Sequence, residues 1–145
     1  MSSSRYLTFA ASSVLVATAS LAFGAPAIQP ASRVAPTFTD VQAERGGALY
    51  DQRCGQCHGS ALDDGSFGPP LTGGQFAQKW QDRSVAEMFT VIRTQMPTEA
   101  PGSLSDTATA DVLAFIFKHN GLVPSSTALP ADTARLESMF AAKPQ

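Results

Sequence analysis

The sequence predicts an all-α fold, and three of its features support that prediction. Val41, Arg45 and Leu49 recur at the spacing of one face of a helix. Hydrophobic side chains recur at helical spacing over residues 85–92 as well. The third feature is that no strand pattern surrounds the two cysteines. At 145 residues, the chain is long enough for one domain and short for two.

Composition and charge exclude some classes of function. The formal net charge is −2, which argues against general nucleic-acid binding because that activity needs a basic patch. No run of like charges indicates a charged tail. Hydrophobic residues make up 43% of the chain, an ordinary fraction that is sufficient for a packed core.

Residues 1–27 are predicted to be a secretory signal peptide. Arg5 and the amino terminus give a weak positive charge, an uncharged apolar stretch follows, and small residues at Ala25 and Ala27 provide cleavage sites. The alternative is an uncleaved membrane anchor, although Ser and Thr dilute the apolar span. No second apolar segment approaches membrane length, so we expect an exported, soluble mature protein with nine basic and twelve acidic residues.

Residues 28–39 are predicted to form an extended, poorly ordered linker, because Pro30 and Pro36 lie in a stretch with little periodicity. The first helix is expected to begin with Asp40 as its N-cap. Glu44 follows four residues later rather than three, so a strict capping box is not expected.

Two glycines, Gly46 and Gly47, lie inside the helical period that leads into Cys54. Glycine within a helix costs about 1 kcal/mol relative to alanine. Close approach of a second helix is one reason for a sequence to tolerate that cost.

The stretch CGQCHG, residues 54–59, contains both cysteines of the chain and one of its two histidines. An oxidising compartment would permit a Cys54–Cys57 disulfide. A thioredoxin-like redox site would need a βαβ context, and zinc would need four ligands, for which His58 and His119 are the only histidines. The remaining interpretation is covalent haem attachment, with two thioethers to the vinyl groups and His58 as an axial ligand of the iron.

A haem leaves a sixth iron position for a downstream ligand. Met96 precedes Pro97, which disfavours the helical conformation at residue 96 and places the methionine at the start of a loop. We therefore predict Met96 as the second axial ligand. Met88 lies at helical spacing from Val85 and Phe89 and is predicted to be a core residue instead.

Four sequence elements occur in one characteristic order: CGQCHG at 54–59, FGPPL at 67–71, QMP at 95–97 and DVLAFIFKHNGL at 111–122. Together they resemble a class I, monohaem c-type cytochrome over roughly residues 40–123. The resemblance implies the cytochrome c fold, in which N- and C-terminal helices cross around one covalently bound haem c. The segment MPTEAPGSLSD, residues 96–106, also resembles soluble periplasmic cytochromes, or cytochrome subunits, that serve dehydrogenases, including quinoprotein types.

The resemblance also assigns roles to single residues. It implies that Gly46 and Tyr50 meet the face of the last helix that carries Val112 and Phe115. It further implies that the Pro69 carbonyl accepts a hydrogen bond from the proximal histidine.

Three further features remain open at this point. The Trp80 indole N–H could donate to a haem propionate, or Trp80 could be a core or rim aromatic residue. His119, in the last turn of the final helix, is a weaker ligand candidate than Met96. The C-terminal tail, residues 124–145, lies outside the usual core and could include a short helix with Leu136 on its apolar side.

These features predict an exported, periplasmic electron-transfer protein and not an enzyme. It would accept electrons from a dehydrogenase or quinol-oxidising complex and pass them to a terminal oxidase or another cytochrome. Partner contacts are expected to be small and transient. One alternative is a stable cytochrome subunit of a dehydrogenase complex, and another is a five-coordinate haem protein that binds small ligands or acts as a peroxidase.

Overall fold

The computed structural model describes residues 33–141, and within them the secondary structure consists of helices and two isolated β-bridges. The helices are α1 (Asp40–Arg53), α2 (Gly55–His58), α3 (Gly73–Trp80), α4 (Val85–Gln95), α5 (Asp106–His119) and α6 (Thr133–Leu136). The all-α prediction is confirmed. The predicted signal peptide lies outside the described residues. None of the described helices has the length and apolar character needed to cross a membrane.

Helix α1 begins one residue earlier than the sequence suggested. Its N-cap is Thr39, whose hydroxyl accepts a hydrogen bond from the Gln42 backbone N–H at 3.2 Å. The Gln42 side chain accepts in return from the Thr39 backbone N–H, which completes a capping box. The prediction of Asp40 as the cap was therefore wrong. Asp40 instead places an acidic side chain in the first turn, where it favours the helix dipole.

Helices α1 and α5 cross closely, as predicted, and glycine makes this possible. A Cβ atom built on Gly46 would overlap the backbone carbonyl of Asp111 and would touch the Cβ of Phe115. The Tyr50 and Phe115 rings lie 5.1 Å apart on the same side of the crossing. The backbone of Asp111, rather than Val112, is therefore the nearest neighbour of Gly46.

A charged pair joins the two crossing helices. The Arg45 guanidinium donates to both carboxylate oxygens of Asp111, at 2.8 and 2.7 Å. Such two-pronged contacts are geometrically specific because the guanidinium is planar. The pair lies beside the Gly46 contact, so the same stretch of α5 is positioned by shape and by charge.

The N-terminal segment, residues 33–39, is packed against the helices rather than poorly ordered as expected. Phe38 is fully buried and its ring lies 6.4 Å from that of Phe117 in α5. Val34 forms a parallel bridge with Met139, with backbone hydrogen bonds of 2.9 Å on both sides.

The described part of the tail, residues 124–141, also packs onto the helical core. Leu129 and Leu136 are buried in the main hydrophobic cluster. The Gln42 amide holds the tail by donating to the Leu129 carbonyl at 3.1 Å and accepting from the Leu129 N–H at 2.7 Å. The predicted short helix is present as α6, but Phe140 lies beyond it and bridges to Ser84.

Candidate haem site

A cleft with a largely apolar lining lies between helices α1 to α5 and the loops 59–72 and 96–105. Its walls include every site residue that the sequence predicted: Cys54, Cys57, His58, Pro69, Trp80 and Met96. Cys54 and Met96, which are 42 positions apart in the sequence, thus line the same cleft.

The cysteine pair sits where α1 turns into the single-turn helix α2. Cys54 is the C-cap of α1, and its carbonyl accepts hydrogen bonds from the N–H groups of Cys57 at 3.1 Å and His58 at 2.9 Å. This tight turn presents both side chains to the cleft. Neither thiol is in a disulfide. Burial raises the pKa of the Cys54 thiol to about 11, the opposite of the lowered pKa expected for a redox-active cysteine pair.

His58 is oriented by the loop that follows it. Its Nδ1 lies 2.9 Å from the Pro69 carbonyl oxygen, which can only accept a hydrogen bond. Nδ1 therefore carries the proton, and the lone pair of the neutral ring is on Nε2, as an axial ligand requires. Gly68 packs its backbone on this ring so closely that a Cβ would lie 2.5 Å from Nδ1. Any larger residue at position 68 would therefore push the His58 ring out of this orientation.

Two methionines, not one, line the cleft. Met96 is the C-cap of α4, with extended backbone angles of φ −120° and ψ 150°, so the helix ends before Pro97 as predicted. Met88 lies on α4 itself, is 2% exposed, and belongs to the hydrophobic core. The structure places both thioethers at the site, and the choice between them as ligand remains a prediction.

Trp80 and His119 lie on different sides of the molecule. Trp80 is buried in the cleft wall, with the cationic groups of Lys79 and Arg83 at 5.2 and 4.7 Å from its ring centre. Among the hydrogen bonds within residues 33–141, none uses its indole N–H. His119 does not line the cleft, and its ring packs at 4.4 Å from that of Phe115.

Sequence reasoning missed the groups that fix the loop between α2 and α3. The Tyr50 hydroxyl donates to the Gly59 carbonyl at 2.7 Å, just after the histidine. The Asn120 amide donates to the Leu71 carbonyl at 2.9 Å, at the far end of the loop. The sequence predicts Tyr50 only at the helix crossing and gives Asn120 no role in the site. Their second roles depend on contacts across 9 and 49 residues, for which a single sequence gives no signal.

The donor set fits a haem better than a bare metal ion. Within residues 33–141, no three side chains of His, Cys, Asp and Glu converge so that they could hold a metal ion. Two free thiols, one oriented imidazole and a methionine instead line a cleft with apolar walls. These are the groups that covalent attachment and axial ligation of a haem need.

A family model described as "Cytochrome C oxidase, cbb3-type, subunit III" matches residues 41–116, which is more than half of the chain. The chain belongs to this c-type cytochrome family. The match supports the resemblance to c-type cytochromes noted above and is consistent with a class I, monohaem domain. No curated protein and no solved structure matches the chain.

Membership of the family establishes the cofactor and the general activity. This cytochrome carries covalently bound haem c with its iron, and it is an electron-transfer protein rather than a catalytic enzyme. Its interactions are therefore with redox partners.

Proposed function

We propose that this cytochrome holds its haem through thioethers at Cys54 and Cys57, with His58 and Met96 as the two axial ligands of the iron. The observation that supports this proposal is that all four side chains line one cleft, with His58 already oriented by the Pro69 carbonyl. The bound haem supplies reversible one-electron exchange between ferric and ferrous iron.

The chain's own residues have three tasks in that exchange. Pro69 holds the proton on Nδ1 of His58, which leaves Nε2 available to the iron and fixes the orientation of the ring. The Met96 thioether, as a soft neutral ligand, favours ferrous iron and raises the reduction potential. Apolar residues from α4 and α5, among them Ile92 and Ile116, limit water in the cleft. With both axial positions filled, no position is open to a substrate.

We further propose that the protein is exported to the periplasm and acts as a carrier between larger complexes. Residues 1–27 would be the cleaved signal peptide, 28–39 a connecting segment whose described part packs on the helices, 40–123 the cytochrome domain and 124–145 a tail. A periplasmic dehydrogenase or a quinol-oxidising complex would donate electrons, and a terminal oxidase or another cytochrome would accept them. The chain is weakly acidic, so electrostatic steering towards partners would be weak.

The alternative of a stable dehydrogenase subunit receives less support from the tail. Its described part is bound to the cytochrome's own core through Leu129, Leu136 and the Gln42 amide. That part of the tail is thus used within the domain and is not a free docking arm. Copurification with a large catalytic subunit would favour the subunit alternative, and isolation as a single haem-containing chain would favour the carrier.

The ligand assignment is tested by a pair of substitutions, Met96→Ala and Met88→Ala, in the holoprotein. Met96→Ala should abolish the weak long-wavelength sulfur-to-iron absorption of the ferric form, lower the reduction potential and admit carbon monoxide to the ferrous form. Met88→Ala should keep that absorption and lower the free energy of unfolding by roughly 2–5 kcal/mol, because its side chain is buried.

Exchange of these two phenotypes would assign the iron ligand to Met88 and refute the proposed site. Rapid binding of carbon monoxide by the unmodified ferrous protein would instead indicate a five-coordinate haem protein. That result would contradict the carrier function as well.

A further inference from the structure

The loop that joins α4 to α5 carries Met96 at its start and lines the cleft with its next three residues, Pro97 to Glu99. Two short turns shape it, through hydrogen bonds from Ala100 N–H to the Pro97 carbonyl at 2.9 Å and from Ser103 N–H to the Ala100 carbonyl at 3.2 Å. These bonds are internal to the loop and do not attach it to the helices. Its second half must be held by other contacts.

Arg93 supplies such a contact from the last turn of α4. Its Nε donates to Oδ1 of Asp106, the first residue of α5, at 2.6 Å. Its Nη1 donates to the carbonyl of Gly102 at 2.9 Å. One planar guanidinium therefore joins the end of α4, the loop and the start of α5. A lysine ammonium lacks this fixed arrangement of donors and would hold the three segments less firmly.

A second arginine holds the same half of the loop from the opposite wall. Arg53, the residue before Cys54, donates from Nη2 to the Ser103 hydroxyl at 3.0 Å. The two adjacent residues Gly102 and Ser103 are thus tied to the helix that leads into Met96 and to the helix that leads into Cys54.

The contact of Arg93 with Gly102 closes a ring over the segment that begins with Met96. Local opening is the means by which a loop ligand leaves a metal, and its free energy can be far smaller than that of global unfolding. Opening of the second half of the loop would break the hydrogen bonds of Arg93 to Gly102 and Asp106. The arginine therefore favours the closed state of the ligand loop.

We propose that Arg93 is a positioning residue for the axial methionine: its clamp on Gly102 and Asp106 keeps the loop closed and Met96 on the iron. The inference rests on the proposed function, because it requires Met96 to be the ligand. It predicts that competition between Met96 and an added ligand depends on a side chain that does not touch the haem site.

Exposure separates this role from a general contribution to stability. The side chains of Arg93 and Asp106 are 33% and 60% exposed, and ion pairs at such positions change global stability little. A local role should appear in ligand exchange at the iron while the global unfolding transition remains nearly unchanged.

The test uses Arg93→Gln in the full holoprotein, with imidazole as the competing ligand of the ferric haem. Imidazole should bind about two- to fivefold more tightly to the variant, the range that loss of a surface ion pair allows. The sulfur-to-iron absorption should be lost at correspondingly lower imidazole concentration. Arg93→Lys, which keeps the positive charge but not the planar guanidinium that donates to two acceptors, should give an intermediate affinity.

Arg33→Gln is the matched control. Arg33 also forms an exposed ion pair, with Asp82 at 3.1 Å, but it does not line the cleft and its other neighbour is the Phe140 ring in the tail. Its imidazole affinity should equal that of the parent. If Arg93→Gln yields too little holoprotein, two other variants give the same test. Asp106→Asn weakens the contact with Arg93, and Ser103→Ala removes the contact with Arg53.

The outcomes distinguish the two proposals. If Met96→Ala abolishes the sulfur-to-iron absorption but the clamp variants bind imidazole like Arg33→Gln, the clamp is refuted and the ligand assignment stands. An affinity change matched by an equal loss of global stability would also refute the clamp, since it would reflect general structure. If Met96→Ala retains the absorption, the proposed ligand is wrong and the clamp proposal is refuted as well.

Discussion

The crossing of α1 with α5 and the cleft at the C-terminal end of α1 are built by different means. At the crossing, backbone meets backbone at Gly46 and Asp111, and Arg45 adds a two-pronged charge contact. At the C-terminal end of α1, Arg53 and Cys54 line the cleft together with residues of the following loops. The crossing is made by contacts between protein atoms, whereas the cleft is where we propose that the haem binds.

This difference explains which residues are sensitive to shape and which to chemistry. At the crossing, the size of one side chain decides whether two helices meet. At the cleft, the proposed site depends on the bonds that thiols, an imidazole nitrogen and a thioether would form with the haem, and a side chain of similar size but different chemistry would not replace them. We therefore expect substitutions at the crossing to lower the stability of the fold, and substitutions at the cleft to impair attachment or ligation of the haem.

The largest effect is expected at the cleft, from Cys57→Ala. One thioether is lost, and most holoprotein should be lost with it, because the chain cannot fill its own core without the haem. The measurements are the yield of haem-containing protein and acid–acetone extraction, in which the parent's haem should stay with the polypeptide. Ser66→Ala, at an exposed position in the following loop, is the control. Extraction of the parent's haem into the organic phase would disprove covalent attachment.

The next effect is expected at the crossing, from Gly46→Val. The new side chain would overlap the Asp111 carbonyl, so we expect the free energy of unfolding to fall by about 3 kcal/mol or more. The haem spectrum of the folded protein should remain that of the parent. Gly74→Val in α3 is the matched control, because a Cβ there meets nothing within 4 Å. Equal melting of the Gly46→Val variant and the parent would show that the crossing is misplaced.

A smaller effect is expected where the tail meets α1. Gln42→Ala removes both hydrogen bonds to Leu129, leaving its backbone groups unpaired, and also the longer capping contact of 3.4 Å from Thr39. We expect a loss of about 1–2 kcal/mol in denaturant unfolding. Gln78→Ala, at an exposed position of α3, should cost much less. If the two variants unfold alike, the tail does not contribute to the core as the structure indicates.

The smallest effect is expected from Lys118→Gln, on the exposed rim of the crossing. Lys118 pairs with Asp40 at 2.8 Å, and this carboxylate raises the pKa of the lysine. Exposed pairs of this kind contribute little to stability because solvent screens them, so thermal melting should match that of the parent. A clear loss of stability would mean that charge at the rim, and not only shape at Gly46, holds the two helices together.

The sequence by itself determined the chemistry of the protein and most of its helices. CGQCHG predicts a covalent haem because the spacing of the thiols and the histidine is a local property of the chain. Pro97 ended α4 because the conformational restriction acts on the residue directly before a proline. Gly46 indicated a close helix contact because glycine is costly inside a helix.

Only the tertiary structure decided the contacts between segments that are distant in sequence. The sequence presented the residues from 33 to 39 and the tail as peripheral, yet Phe38 and Leu136 are buried in the core. Thr39 rather than Asp40 caps α1. Both are suitable N-cap residues, so the sequence alone does not decide between them. No sequence pattern marks Arg93 or Arg53, because their hydrogen bonds at the Met96 loop are to partners 9 to 50 residues away. The physical reason is that local conformation is set by neighbours along the chain, whereas burial and long-range hydrogen bonds are set by where the folded chain brings its segments together.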